Sequence, residues 1–192
     1  MLPNFKLNNS SLLSALMHEK GIVDYISATE YIQSLPYGRI IDTTDLTNII
    51  HENKGTCSTK HAFLHQLAAE NEISDINLAL GFFKMNAINT PAVAEVLKSY
   101  GLEYIPEAHN YLLYKDKRYD FTGLDFQTEK PTDVILSEMT ILPNQIKEFK
   151  QHFHRFYIIN WLKEENLGLK FSIDEIWDIR ETCIQQLSSL AV

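Results

Sequence analysis

The stretch Gly55-Thr56-Cys57-Ser58-Thr59-Lys60-His61 sets one thiol at the point where a loop gives way to a helix. From Ser58 to Asn71 the apolar residues Ala62, Phe63, Leu67 and Ala68 recur at helical spacing, and Thr56 or Ser58 is positioned to cap the unpaired N–H groups of the first turn. Cys57 is therefore expected at a helix N-terminus. The positive end of the helix dipole, roughly half a unit charge, favours thiolate over thiol there, which makes a nucleophile of an ordinary cysteine near neutral pH. Gly55, with no Cβ, lets the chain turn sharply and lets a substrate's backbone come close.

A thiolate needs a general base and a group to orient that base. Pro106 to Tyr114 reads as a strand, Lys115-Asp116-Lys117 as a turn, and Arg118 to Thr122 as the returning strand, closed by Gly123. His109 and Asp120 are an odd number of positions apart, so a tight hairpin sets them on one face. A two-residue loop at Tyr114-Lys115 makes them directly opposed, with Cβ atoms roughly 5 Å apart; a loop at Lys115-Asp116 makes them diagonal neighbours at roughly 7 Å. The period of two puts Glu107 on the His109 face, as a candidate cleft residue, and turns Asn110 away from it.

Cysteine at a helix start, then histidine on a strand, then aspartate on the next strand resembles the transglutaminase-like superfamily of papain-like cysteine enzymes. The carrying pieces are Gly55-x-Cys57, His109 followed by the aromatic Tyr111, and Asp120-x-Thr122. More closely, KGTCSTKHA, IPEAHNYL and RYDFTG resemble a group of small bacterial transglutaminase-like proteins, over roughly residues 30 to 125. The resemblance implies an α+β fold, with the nucleophile helix packed on a small antiparallel sheet. It also implies a Cys57-His109-Asp120 triad that moves an acyl group through a thioester, with a peptide or other amide as substrate and water or an amine as acceptor. No cofactor is implied. In such relatives the loop upstream of the cysteine often lines the cleft, which here makes Tyr37, Arg39 and Asn53 candidate substrate contacts beside Gly55, Thr56, Ser58 and His61.

Composition limits the alternatives. The 192 residues are 45% apolar, ample for a core in one domain or in one domain with an appendage. A net charge of −8 argues against a nucleic-acid partner, because binding phosphates takes a basic stripe. No apolar run approaches the roughly 18 residues of a membrane span. The run Leu12 to Met17 is too short for a secretory signal and lacks its flanks, so a reducing, cytoplasmic location is expected, with Cys57 and Cys183 unbridged. Oligomeric state is not legible.

Along the chain, Ser10-Ser11 is expected to cap a helix over Leu12 to Glu19, ended by Gly21. A capping box in Ser27-x-x-Glu30 opens a second helix, stopped at Pro36-Tyr37-Gly38. Asp42 to Asp45 cap a short helix through Ile50. Ile76 to Met85 reads as a buried strand, and Thr90-Pro91 starts a helix whose inward residues are Val93, Val96 and Leu97, ended by Gly101. Asp133 to Leu142 alternates loosely as a strand. Pro143 to Glu165 carries Ile146, Phe149, Phe153, Phe156, Tyr157 and Trp161 at spacings of three and four, a long amphipathic helix. Ser172 to Glu175 begins a last helix with Ile176, Ile179, Cys183, Ile184 and Leu187 inward. A soft boundary near residue 142 separates a catalytic α+β part, 1–142, from a helical extension, 143–192.

Two other readings fit the same residues. Cys57, His61 and His65 recur every four residues and suggest metal ligation, but eight helical residues span ~12 Å, so the outer two cannot share one ion, although His61 and His65 together can. A transglutaminase-like module used only for binding is the other, with the aromatic C-terminal helix as its docking surface. His152 and His154 point to different sides of their helix, and Cys183 reads as a small buried hydrophobe.

Overall fold

The alternation of helical and strand periods produces a mixed structure, seen in a computed structural model that describes residues 1–124 and 130–189. In chain order the described residues form α1 (Leu12–Glu19), α2 (Tyr25–Ser34), α3 (Asn48–His51), α4 (Cys57–Ala69), β1 (Asn77–Asn86), α5 (Ala94–Tyr100), β2 (Tyr104–Tyr114), β3 (Lys117–Tyr119), β4 (Ser137–Ile141), α6 (Glu148–Glu164) and α7 (Ile173–Ser189). The four strands make one antiparallel sheet in the order β3-β2-β1-β4.

Helix starts follow the local chemistry, though not always through the expected residue. Ser11 places no side chain on α1; its N–H groups are served by the Glu70 carboxylate, which accepts from Ser14 N at 2.6 Å and from Leu13 N at 3.3 Å. A negative charge at a helix start is favoured by the dipole, so the end of α4 supplies the cap of α1. The second helix begins earlier than the Ser27 box predicts. Asp24 is its cap, accepting from Ser27 N at 3.1 Å and from the Ser27 hydroxyl at 2.8 Å. Asp45 spends its carboxylate on Thr47, so α3 starts only at Asn48.

The chain groups into two compact units that interleave in sequence. The first comprises Met1–Leu80, Asn110–Leu124 and Met139–Ile146. Its interior is built from α1, α2, α3, α4 and the start of β1, with Met17, Tyr25, Ile32, Ile49, Phe63, Leu64, Leu67 and Leu78 fully buried. Tyr25 donates its hydroxyl to Leu64 O at 3.1 Å, which lets a large polar ring sit in that core.

The second unit comprises Gly81–His109, the described part of Asp125–Glu138, and the described part of Lys147–Val192. Phe83, Val93, Leu97, Ile105, Ile158, Trp161, Ile176, Ile179 and Cys183 form one core there. The last helix buries the expected residues together with Arg180. The stripe of α6 differs from the aromatic one expected: Lys150, His154, Ile158, Trp161 and Leu162 face inward, while Phe149 and Phe156 are exposed. The cause lies on β2, where buried Glu107 holds Arg180 through both carboxylate oxygens, at 2.8 and 2.6 Å. A buried carboxylate demands cationic and polar neighbours, and α6 and α7 turn theirs toward it.

The hairpin register is settled by Leu112↔Tyr119, Leu113↔Arg118 and Tyr114↔Lys117. The two-residue loop is therefore Lys115-Asp116, both with left-handed φ, 48° and 58°, as a tight hairpin turn requires. Of the two registers open in the sequence, this is the diagonal one.

Candidate functional site

Cys57 is the first residue of a thirteen-residue helix. The turn is locked locally: Thr56 precedes the helix as its cap, and its N–H donates to the Thr59 hydroxyl at 3.0 Å. Cys57 is buried, 7% exposed, and makes no disulfide. Its Sγ lies 3.9 Å from the Ser58 hydroxyl.

The residues after Cys57 reach outward in three directions within the first unit. Ser58 donates its hydroxyl to Asn110 Oδ1 at 2.9 Å, and Asn110 Nδ2 donates to Ala79 O at 2.8 Å. Lys60 is completely buried, and its Nζ donates to Leu35 O at 2.5 Å, to Thr122 O at 2.7 Å and to Gln33 O at 3.3 Å. His61 is also completely buried. Its Nδ1 donates to Cys57 O at 2.7 Å, and its Nε2 accepts from Phe121 N at 2.7 Å.

Those two bonds fix the His61 tautomer: a proton on Nδ1, a lone pair on Nε2. The Asp120 Oδ1 atom lies 3.6 Å from Nε2, inside ion-pair range, but a lone pair facing a carboxylate gains nothing from it. His61 is a neutral bracket joining the first turn of α4 to the backbone after Asp120. It is a support; the sequence offered it as a substrate contact and as a metal ligand. His65, half-buried, contacts Ile76 O through Nδ1 at 2.8 Å. Among the described residues no group of three or more His, Cys, Asp or Glu side chains is arranged to hold a metal ion.

Asp120 shapes its own segment, its Oδ1 accepting from Thr122 N at 2.9 Å and from the Thr122 hydroxyl at 2.5 Å. Gly123 follows with φ 78°, and a Cβ there would run into Gln33 O and stand 3.3 Å from Lys60 Nζ. Only glycine lets the chain pass so close. At Gly55 the space where a Cβ would go is filled by Lys60 Cγ at 2.9 Å and Thr59 Oγ1 at 3.1 Å. That glycine makes room for the Lys60 stem, where the sequence suggested room for substrate.

Upstream, Pro36 to Gly38 pairs with Gly55: Gly55 N donates to Pro36 O at 3.1 Å and Gly38 N to Gly55 O at 3.3 Å. Tyr37 is thereby bridged to Gly55 and buried. Arg39 and Asn53 are exposed. Asn53 has φ 51° just past the end of α3, where Lys54 N donates to Ile49 O at 3.3 Å, the ending that favours asparagine or glycine. Its position is explained by that turn.

His109 belongs to the second unit, 5% exposed, with its ring edge-on to Phe83 at 6.0 Å between centroids. Glu107, expected to line a cleft, is instead buried against Arg180. Burial pushes its carboxyl up, but the charge and hydrogen bonds of Arg180, with the charges of His154 and Lys150, outweigh that and leave it at about 2. Burial drives His154 down to about 4 against the pull of Glu107, and its Nε2 donates to Pro106 O at 2.8 Å. Cys183 is pushed up to about 11 by burial and by Glu107, the state of a packed, inert thiol.

Lys60 and Arg180 are the two residues the sequence reading passed over. A lysine between a thiol and a histidine in a helix start, and an arginine on an apolar helix face, were the available signals. Compared with family models, characterised proteins and solved structures, the chain matches none.

Proposed function

We propose that the chain is a cysteine-dependent acyl-transfer enzyme of the transglutaminase-like kind, with Cys57 as nucleophile, His109 as its base and Asp120 as the carboxylate that orients the base. The observation that carries this reading is the bracket made by Lys60 and His61. Two side chains from the turn that begins with Cys57 bind the backbone directly after Asp120, at Phe121 N and Thr122 O. A thiol at a helix start and a carboxylate just past β3 are thus held by one rigid set of bonds, the preorganisation a nucleophilic site requires.

In the reaction, the Cys57 sulfur attacks an amide carbonyl, and the C–N bond breaks as His109 protonates the leaving amine. Water, deprotonated by His109, then cleaves the thioester; an amine in its place gives a new amide. The Cys57 N–H, at the open end of α4, is the natural donor to the oxyanion.

The test is a panel of fluorogenic amides and peptides, with and without an added primary amine, run on the wild type and on Cys57→Ala, His109→Gln and Asp120→Asn. Turnover should vanish with Cys57→Ala and fall by orders of magnitude in the others. Full turnover in Cys57→Ala overturns the reading.

A further inference from the structure

Lys60 is the most unusual charge in the first unit. It has no exposed surface, and its three ammonium protons meet three backbone carbonyls, Leu35 O, Thr122 O and Gln33 O. A neutral amine has two protons and a lone pair that would face one of those oxygens, so the cage suits the cation. Gln33 and Leu35 lie at the C-terminal end of α2, where the helix dipole is negative and a cation is favoured. Gly55 and Gly123 are both needed to admit this side chain: a Cβ at either position would crowd Lys60 Cγ or Nζ. Two glycines, three carbonyls and one burial site are arranged around a single ammonium.

Among the described residues the charges that act on it are Cys57 on its own helix and Asp120 just past β3, and the end of α2 meets it with two carbonyls. Burial pulls Lys60 down to about 8, while the charges of Asp120 and of a Cys57 thiolate pull it back up. Such coupling is mutual: whatever an anion at Cys57 does for the lysine, the lysine does for that anion.

We propose that Lys60 is a positioning residue of the Cys57 site, its caged ammonium both holding residues 120–122 against the first turn of α4 and favouring the thiolate at Cys57. This rests on the reading of Cys57 as the nucleophile. Lys60 touches no substrate; it acts through the charge state of the thiol and the placement of the strand end.

The experiment follows alkylation of Cys57 by iodoacetamide across pH, read by mass spectrometry on the Cys57 peptide so that Cys183 does not interfere. Lys60→Met keeps most of the stem and removes the charge; Lys60→Arg keeps the charge. The midpoint should rise by about one pH unit in Lys60→Met, roughly a tenfold slower reaction near neutrality, and return most of the way in Lys60→Arg. An unchanged midpoint in folded Lys60→Met overturns the proposal. The wild type gives a reading that needs no variant: a buried cation is poorly screened, so its midpoint should stay low between dilute buffer and about 1 M sodium chloride. A midpoint that climbs with salt, or sits at the ordinary ~8.5 in both, overturns it as well. A Lys60-dependent midpoint without amide turnover leaves this inference standing and removes the acyl-transfer reading. Amide turnover that needs Cys57, with a midpoint indifferent to Lys60, does the reverse.

Discussion

Ser58 Oγ donates to Asn110 Oδ1 at 2.9 Å, tying the second residue of α4 to β2 one position beyond His109. Asn110 is fully buried, and its amide also donates to Ala79 O on β1. One side chain thereby links a helix start to two strands. Ser58→Ala should cost about 1 kcal/mol, the usual worth of one intramolecular hydrogen bond. Asn110→Leu should cost more, by roughly 1–3 kcal/mol, because it leaves a buried carbonyl on β1 without that donor. Urea unfolding of the two variants checks the order.

Gly123 tests the approach of the segment after β3 to the end of α2. Its left-handed φ disfavours any other residue, and a Cβ would collide with backbone at Gln33. Backbone cannot swing aside as a side chain can. Gly123→Ala is expected to destabilise by several kcal/mol, beyond the ~1 kcal/mol of a positive-φ penalty alone. Thermal unfolding should show it; a melting temperature within about 2 °C of wild type would contradict the close packing.

In the second unit the Glu107–Arg180 pair makes an asymmetric prediction. Arg180→Met leaves a buried carboxylate without its main partner and should cost roughly 3–5 kcal/mol. Glu107→Leu with Arg180→Met removes both charges and should recover most of that loss. A double variant no more stable than Arg180→Met would show that the pair contributes shape more than charge.

Acid should weaken the same unit. His154 ordinarily binds a proton at 6.5 but is held at about 4 when folded, and Glu107 shifts from 4.5 to about 2. In both intervals the unfolded chain binds more protons than the folded one, so stability falls as pH falls. It is full above pH 6.5, declines first through His154 and then through Glu107, and is spent near pH 2. His154→Gln keeps a donor for Pro106 O and should flatten the decline between pH 6.5 and 4. Urea midpoints across pH measure it.

What the sequence showed and what it hid divide along physical lines. Periodicity and caps are local, so α1 is read to its exact ends, and β1 and α5 nearly so. Long-range caps are not local: nothing near Ser11 announces that Glu70 will serve its helix. The hairpin lacked a glycine or asparagine in its turn, so Lys115-Asp116 could not be chosen over Tyr114-Lys115 until the register was seen. On α6 the aromatic residues outshone the true inward stripe, because only a buried Glu107 on a distant strand explains why Lys150 and His154 turn inward. At the candidate site the thiol's place at a helix start was legible. The bracket of Lys60 and His61 was hidden, since its partners are backbone atoms with no sequence signature.

The central claim is that Cys57 is a reactive thiol whose ionisation depends on His109. The most direct measurement is the pH dependence of Cys57 alkylation by iodoacetamide in the wild type and in His109→Gln. The account predicts a wild-type midpoint well below the ~8.5 of a free cysteine and a clear upward shift when the imidazole is removed. A midpoint at or above that value, indifferent to His109, would contradict it.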